Sequence, residues 1–229
     1  MFDVTVGETK EFELLPEDTW IPVRLASRSV IKYDGVSYKP STDDLLKRAF
    51  DVLVKANKAG DEEAIAIANE DLRKFQFQFT FKPLVSKKFA GYRVQGNTGL
   101  YLSFRKPDGE FAPNKLAKYY LGLGGKQVGK GENVNIDSVL GNYGAIKVQS
   151  EKNKKTSKVY QRVADIRELN DVELAQAKIV ELDLKKIEDA IRAAEEKSFV
   201  DAGPSVSGEP QIPILEQQSG LQTGGKIPF

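Results

Sequence analysis

Six cations and two tyrosines crowd residues 143–162: Lys147, Lys152, Lys154, Lys155, Lys158 and Arg162, with Tyr143 and Tyr160 among them. Ammonium and guanidinium groups follow phosphates, while phenol rings stack on any base. The combination suits single-stranded nucleic acid, because a duplex hides the faces of its bases. A weaker patch of the same kind is formed by Lys87, Lys88 and Arg93 with Tyr92, ahead of Tyr101 and Arg105. The charge is sorted along the chain. Residues 74–167 hold eighteen lysines and arginines against six carboxylates, an excess of +12, which leaves −11 for the remainder of a chain whose net charge is +1. A polyanion binder has this electrostatic footprint; a solvated surface with lysines guarding an edge strand is the competing account.

Reactive chemistry finds little support. The chain has no histidine and no cysteine. That removes Ser-His and Cys-His mechanisms, zinc-thiolate sites and disulfides, and no tight Asp/Glu constellation suggests a magnesium site. We therefore expect no enzyme activity, no metal and no cofactor. The stretch 124–131 (GGKQVGKG) approaches the phosphate-loop pattern, but Gly131 stands where a hydroxyl residue should hold magnesium. A helix rather than a strand is expected before it, so it reads as a basic loop.

The elements that must position these residues follow from periodicity. Residues 9–15 and 20–33 read as strands, the second long enough to bend across two faces of a small barrel. Ser41 or Thr42 can cap a helix in which Leu45, Leu46, Ala49, Val52 and Leu53 recur at helical spacing. Gly60 and Asp61 then break and restart it, which makes 42–73 a helical insertion. Residues 74–82 (KFQFQFTFK) alternate strictly, and Phe75, Phe77, Phe79 and Phe81 are assigned to the core rather than to a stacking platform. Strands are expected at 91–96 and 99–105, parted by a turn at Asn97, with Leu100, Leu102 and Phe104 inward. Residues 113–123 read as a helix with Asn114 as its cap, and 136–140 as a helical turn. Two closing strands, 143–150 and 157–167, put Ile146, Val148, Val159 and Val163 inward. Period two then turns Lys147, Lys158, Tyr160 and Arg162 outward together. Trp20, beside a proline at a strand start, is expected to pack rather than stack on a base.

Residues 171–197 read as a long helix. Its stripe Ala177, Val180, Leu184, Ile187, Ile191 and Ala194 either packs on the barrel or mediates self-association as a short coiled coil. Residues 198–229, rich in Gly, Pro, Ser and Gln, read as a disordered tail. The expected fold is thus α+β: an OB-like antiparallel β-barrel over 1–168 with a helical insertion at 42–73, a C-terminal helix over 169–197, and the tail. With no visible export signal and no long apolar run, we expect a cytoplasmic protein without membrane contact.

The order of elements from about 20 to 168 resembles a family of bacteriophage single-stranded-DNA-binding proteins with an OB-like barrel. The resembling residues are the phenylalanine strand with FAGYRVQGNTG, the helix NKLAKYYLGLGG, and NIDSVLGNYGAIKVQSEKNKKTSKVYQRVADI. In that family a helix ending near a glycine pair is followed by an Asp-x-x-x-x-Gly turn, here Asp137 to Gly141 with the preceding Leu140, and by a basic hairpin. The resemblance implies sequence-independent coating of single-stranded DNA in phage replication or recombination, without catalysis. The terminal Ile227, Pro228 and Phe229 are similar to the tip of bacterial single-stranded-DNA-binding proteins that recruits replication and repair enzymes, although Gly224, Gly225 and Lys226 stand where aspartates precede that tip. The alternatives are an RNA-binding or nucleoprotein-scaffold protein with the same surface, and an oligomeric structural or assembly protein.

Overall fold

The computed structural model describes residues 14–89, 91–129, 132, 134–152 and 159–201, with side chains described to 193. The chain divides into two units, 1–190 and 191–229, and of the second only a helical continuation to Asp201 is described.

The architecture is mixed α+β. Strand β1 (Ile21–Tyr33) is long because it serves two partners: its first residues pair with β5 (Tyr143–Lys152), while its length pairs with β3 (Phe75–Pro83). An irregularity between Leu25 and Ser27 bends it between the two. Strand β2 (Tyr38–Ser41) hairpins back onto the end of β1, β4 (Val94–Thr98) lies beside β3, and β6 (Val159–Arg167) joins β4 in parallel and β5 antiparallel. The sheet order β2-β1-β3-β4-β6-β5, with β5 returning to β1, closes the hydrogen bonding into a ring.

The ring encloses one apolar core. Val23, Leu25, Phe79, Phe81, Val94, Ile146, Val148, Val163 and Ile166 meet there, and helix α3 (Lys115–Gly122) contributes Leu116 and Tyr119. Asn114 caps α3 by accepting from the Ala117 amide at 3.0 Å. Tyr119 stacks edge-on against Phe79 and Phe81 at 5.4 and 5.8 Å and lies directly under Gly96, where a Cβ would fall 2.3 Å from its hydroxyl. A glycine is therefore required at that point of β4.

The helical insertion forms as its sequence dictates. Thr42 caps α1 (Asp43–Ala59), left-handed Gly60 ends it, and Asp61 caps α2 (Glu62–Arg73). Leu46 and Leu72 are buried with Val30 and Phe75, so the two helices extend the core along the far ends of β1 and β3. Leu45 and Val52, expected on that apolar face, are exposed instead.

Several expectations are corrected. Leu14 and Leu15, the described end of the strand expected at 9–15, are not in a strand. Leu15 is in the core, where the buried Gln161 amide replaces a strand partner: its Oε1 accepts from the Leu15 amide at 2.9 Å and its Nε2 donates to the Leu15 carbonyl at 2.8 Å. Asn97 lies inside β4 rather than at a turn, and 99–105 is no strand. The expected alternation survives there as burial, with Phe104 in and Tyr101 and Arg105 out, but the backbone bonds within its own loop, from Ala112 to Phe104 and from Asn114 to Ser103. Phe77 is half-buried between the two cores, under the Arg28 guanidinium at 5.1 Å. Val159, expected inside, is exposed at the open end of the hairpin.

Helix α4 (Asp171–Asp201) begins in a reciprocal cap, the Asn170 side chain accepting from the Glu173 amide while the Glu173 carboxylate accepts from the Asn170 amide. Its carboxylates reach the sheet one after another: Glu173 to Arg167 of β6 at 2.6 Å, Glu181 to Arg24 of β1 at 2.9 Å, and Glu188 to Lys82 of β3 at 2.7 Å. Ala177 and Leu184 are buried against Leu84. Arg167, followed by the Asn170 amide, holds Glu173 down to about 2, and Lys82 holds Glu188 below the usual carboxylate range. A depressed carboxylate stabilises the fold above its unfolded value near 4.3 and loses that contribution as pH falls through the folded value. We expect the melting temperature to drop between about pH 4.3 and about pH 2, with a shallower drop in Arg167→Ala; parallel curves for the two proteins would show that the pair does not hold the helix.

Candidate nucleic-acid interface

Alternation along β4 buries Val94 and Gly96 and leaves Arg93 and Gln95 exposed. Gln95 is the residue that bridges to Arg162 of β6. On β6, Tyr160 and Arg162 share the outward face, opposite Glu151 and Gln149 of β5. Arg93, Gln95, Arg162 and Tyr160 thus form one outward row across two strands, flanked on β3 by Gln78 and Thr80, which pair with Asn97 and Gln95. Tyr160 is 48 % exposed.

Glu151 is the internal competitor in this row. It accepts the Tyr160 hydroxyl at 2.8 Å and is ion-paired with Arg162. The hydrogen bond to Glu151 raises the Tyr160 phenol above its ordinary value. A phosphate arriving at Arg162 must exchange with that carboxylate. Glu151→Gln is therefore expected to tighten binding of a single-stranded oligonucleotide about fivefold at 0.1 M salt, the value of one phosphate contact. Unchanged or weaker binding would put the strand elsewhere.

Tyr101 and Arg105, expected outward beyond the weaker patch, lie on the loop between β4 and α3. The Asn114 side chain donates to the Tyr101 carbonyl at 2.7 Å, and Lys115 follows at the start of α3. Burial, with Arg162 nearby, pushes the Lys115 ammonium below its ordinary value. Tyr101 is exposed. Arg105 donates to the Gly109 carbonyl at 2.6 Å and lines an open groove with Phe77, Leu100, Leu102 and Ile136. Lys87 and Lys88 lie in a short 3-10 turn, where the Lys88 ammonium covers the Phe89 ring at 5.2 Å. Arg93 donates to the Tyr92 carbonyl, and the Tyr92 hydroxyl donates to Gln161 inside the ring.

Two expected contact residues have partners within the chain. The Tyr143 hydroxyl donates to Glu181 at 2.5 Å and its half-buried ring packs with the cluster of Leu84, Ala177 and Leu184. Lys147, also half-buried, lies beside Trp20. Its ammonium lies 5.1 Å from that ring and Arg167 lies 5.0 Å from it, so the tryptophan packs between two cations. Both changes have one cause, the docking of α4 and the pre-β1 segment over the start of β5, which period-two reasoning about a lone hairpin does not contain. Lys152 is exposed at the end of β5. Lys154, Lys155 and Lys158, and the terminal Ile227, Pro228 and Phe229, lie outside the described residues.

The structure adds residues that the sequence reasoning passed over. Tyr33 and Tyr38 face each other across the β1–β2 hairpin, 5.3 Å apart and both exposed, beside Lys39. The signal was present as Asp34-Gly35 between two tyrosines, a hairpin turn signature. Among the described residues no cluster of His, Cys, Asp and Glu could hold a metal ion, and no helix is long and apolar enough to cross a membrane. Residues 124–129, the described part of the glycine-rich loop, follow a helix and not a strand. No family model, curated protein or solved structure matches the chain.

Proposed function

We propose that the ring is an OB-like barrel and that the protein coats single-stranded DNA without sequence preference and without chemistry, in phage DNA replication or recombination. OB-like barrels hold oligonucleotides on the face of their second and third strands and in the loops joining the first to the second and the fourth to the fifth. Here β3 and β4 are the second and third strands of the ring. The β1–β2 hairpin with Tyr33 and Tyr38 belongs to the first loop, and the other falls between β5 and β6, outside the described residues. The observation that carries the proposal is the outward row Arg93, Gln95, Arg162 and Tyr160, which alternates charge for phosphate with polar and aromatic groups for bases.

Titration of a labelled oligonucleotide at several salt concentrations tests it. Binding is expected to favour single strands over duplex and to weaken steeply with salt. Tighter binding to RNA than to DNA of the same sequence would replace this reading by an RNA-binding one. No binding to either at about 50 mM salt would remove both.

A further inference from the structure

Helix α4 carries two apolar stripes, and the ring uses one. Ala177 and Leu184 are buried against the sheet side, with Val180 packed beside them. On the opposite side Val172, Ile179 and Leu182 stand 67 %, 61 % and 62 % exposed, and Ala175 is exposed between them. These four residues follow the three-four spacing of a heptad seam, with Val172 and Ile179 at one core position and Ala175 and Leu182 at the other.

We propose that this outer stripe is a self-association surface whose occupant is the same stripe of a second copy of the chain, the two α4 helices lying parallel and in register. The second heptad carries the residue types of that arrangement: β-branched Ile179 at the first core position and Leu182 at the second, a pairing that favours two parallel strands. The flanking charges agree with it: in a parallel pair Lys178 of one copy faces Asp183 of the other, whereas both groups are exposed in the single chain. Within one copy, among the described residues, Asp183 pairs with the exposed Lys186 at 3.4 Å, and Lys178 lies 6.0 Å from the Tyr143 ring, so exchange to a partner costs little. The next core positions are Lys186 and Asp189, which end the apolar seam after Leu182. Because the seam lies opposite Ala177 and Leu184, pairing leaves the docking of α4 on its own sheet intact. A seam of two heptads is shorter than a standard stable interface, so the contact is a weak, concentration-dependent one. It is independent of nucleic acid.

The chain has no cysteine, which makes cross-linking a clean readout. Full-length Ile179→Cys and Leu182→Cys proteins, mildly oxidised, are expected to form self-linked dimers at least about tenfold faster than Lys58→Cys, an exposed control on α1. Sedimentation of the native chain is expected to show a monomer–dimer equilibrium below about 0.5 mM that Ile179→Asp abolishes without changing the melting temperature. Equal rates at positions 179 and 58 would overturn the proposal, as would links formed only in mixtures of Val172→Cys with Leu182→Cys, which report an antiparallel pair. A native chain that stays monomeric to that concentration would overturn it too.

Discussion

Reversing Arg93 and Arg162 together, as Arg93→Glu with Arg162→Glu, is expected to lower affinity for a single-stranded oligonucleotide by several hundredfold at 0.1 M salt. Each cation that meets a phosphate on a single strand contributes about 0.7 to the slope of log affinity against log salt, which at 0.1 M is about fivefold in affinity. Two lost contacts give about 25-fold, and two new like charges beside the phosphates contribute a comparable factor. The corresponding alanine pair should reduce the slope by about 1.4 and leave the remainder of the curve in place. Arg93 and Arg162 are both exposed, and the Arg162–Glu151 pair is half in solvent, so removing either cation costs the fold about 1 kcal/mol or less. Melting temperature therefore serves as the control. An unchanged salt slope in the alanine pair, with the fold intact, would show that the outward row of β4 and β6 is not where the strand lies.

The second large effect concerns stability. Phe79→Ala is expected to cost about 3–5 kcal/mol in chemical denaturation, the range found when a fully buried aromatic ring is truncated. Phe79 is 1 % exposed and is the ring on which the core converges, lying within 6.5 Å of Phe77, Phe81 and Tyr119. Tyr119 cannot move up to fill the gap without drawing α3 with it. Phe77→Ala should cost clearly less, because that ring is half-buried and reached by the Arg28 guanidinium. Similar losses at the two positions would mean that the four phenylalanines share one environment, as strict alternation alone implies.

Arg28 illustrates how the fold places charge that sequence cannot. It donates to Asp43 at the start of α1 at 2.8 Å and to Asp137 before β5 at 2.6 Å, tying the helical insertion to the turn that precedes the hairpin. These two hydrogen bonds raise the guanidinium further above its already high value, so it stays charged throughout. Neither partner is near Arg28 in the chain, and no periodicity signals them. The same holds for the charge imbalance. The +12 of residues 74–167 is partly returned by the acidic remainder, since Asp71 meets Lys74, Glu188 meets Lys82 and Glu173 meets Arg167. Among the described cations of that region, Arg93 and Arg162 of the β4–β6 row and Lys152 at the end of β5 are exposed.

What sequence determined by itself is the local structure: β1, the helical insertion with its Thr42 and Asp61 caps, the phenylalanine strand, α3 with its Asn114 cap, the β5–β6 hairpin and α4. Each is written in nearest-neighbour chemistry, in the period of apolar residues and in the side chains that satisfy helix ends. The hairpin's outward Tyr160 and Arg162 follow from period two for the same reason. Tertiary structure alone decided which residues of that surface remain available. Period two turns Lys147 outward and the basic cluster includes Tyr143, but α4 and Trp20, distant in the chain, arrive beside them and leave both half-buried. Period fixes which side of a strand a residue is on; only the packing of distant elements decides whether that side meets solvent or another part of the chain.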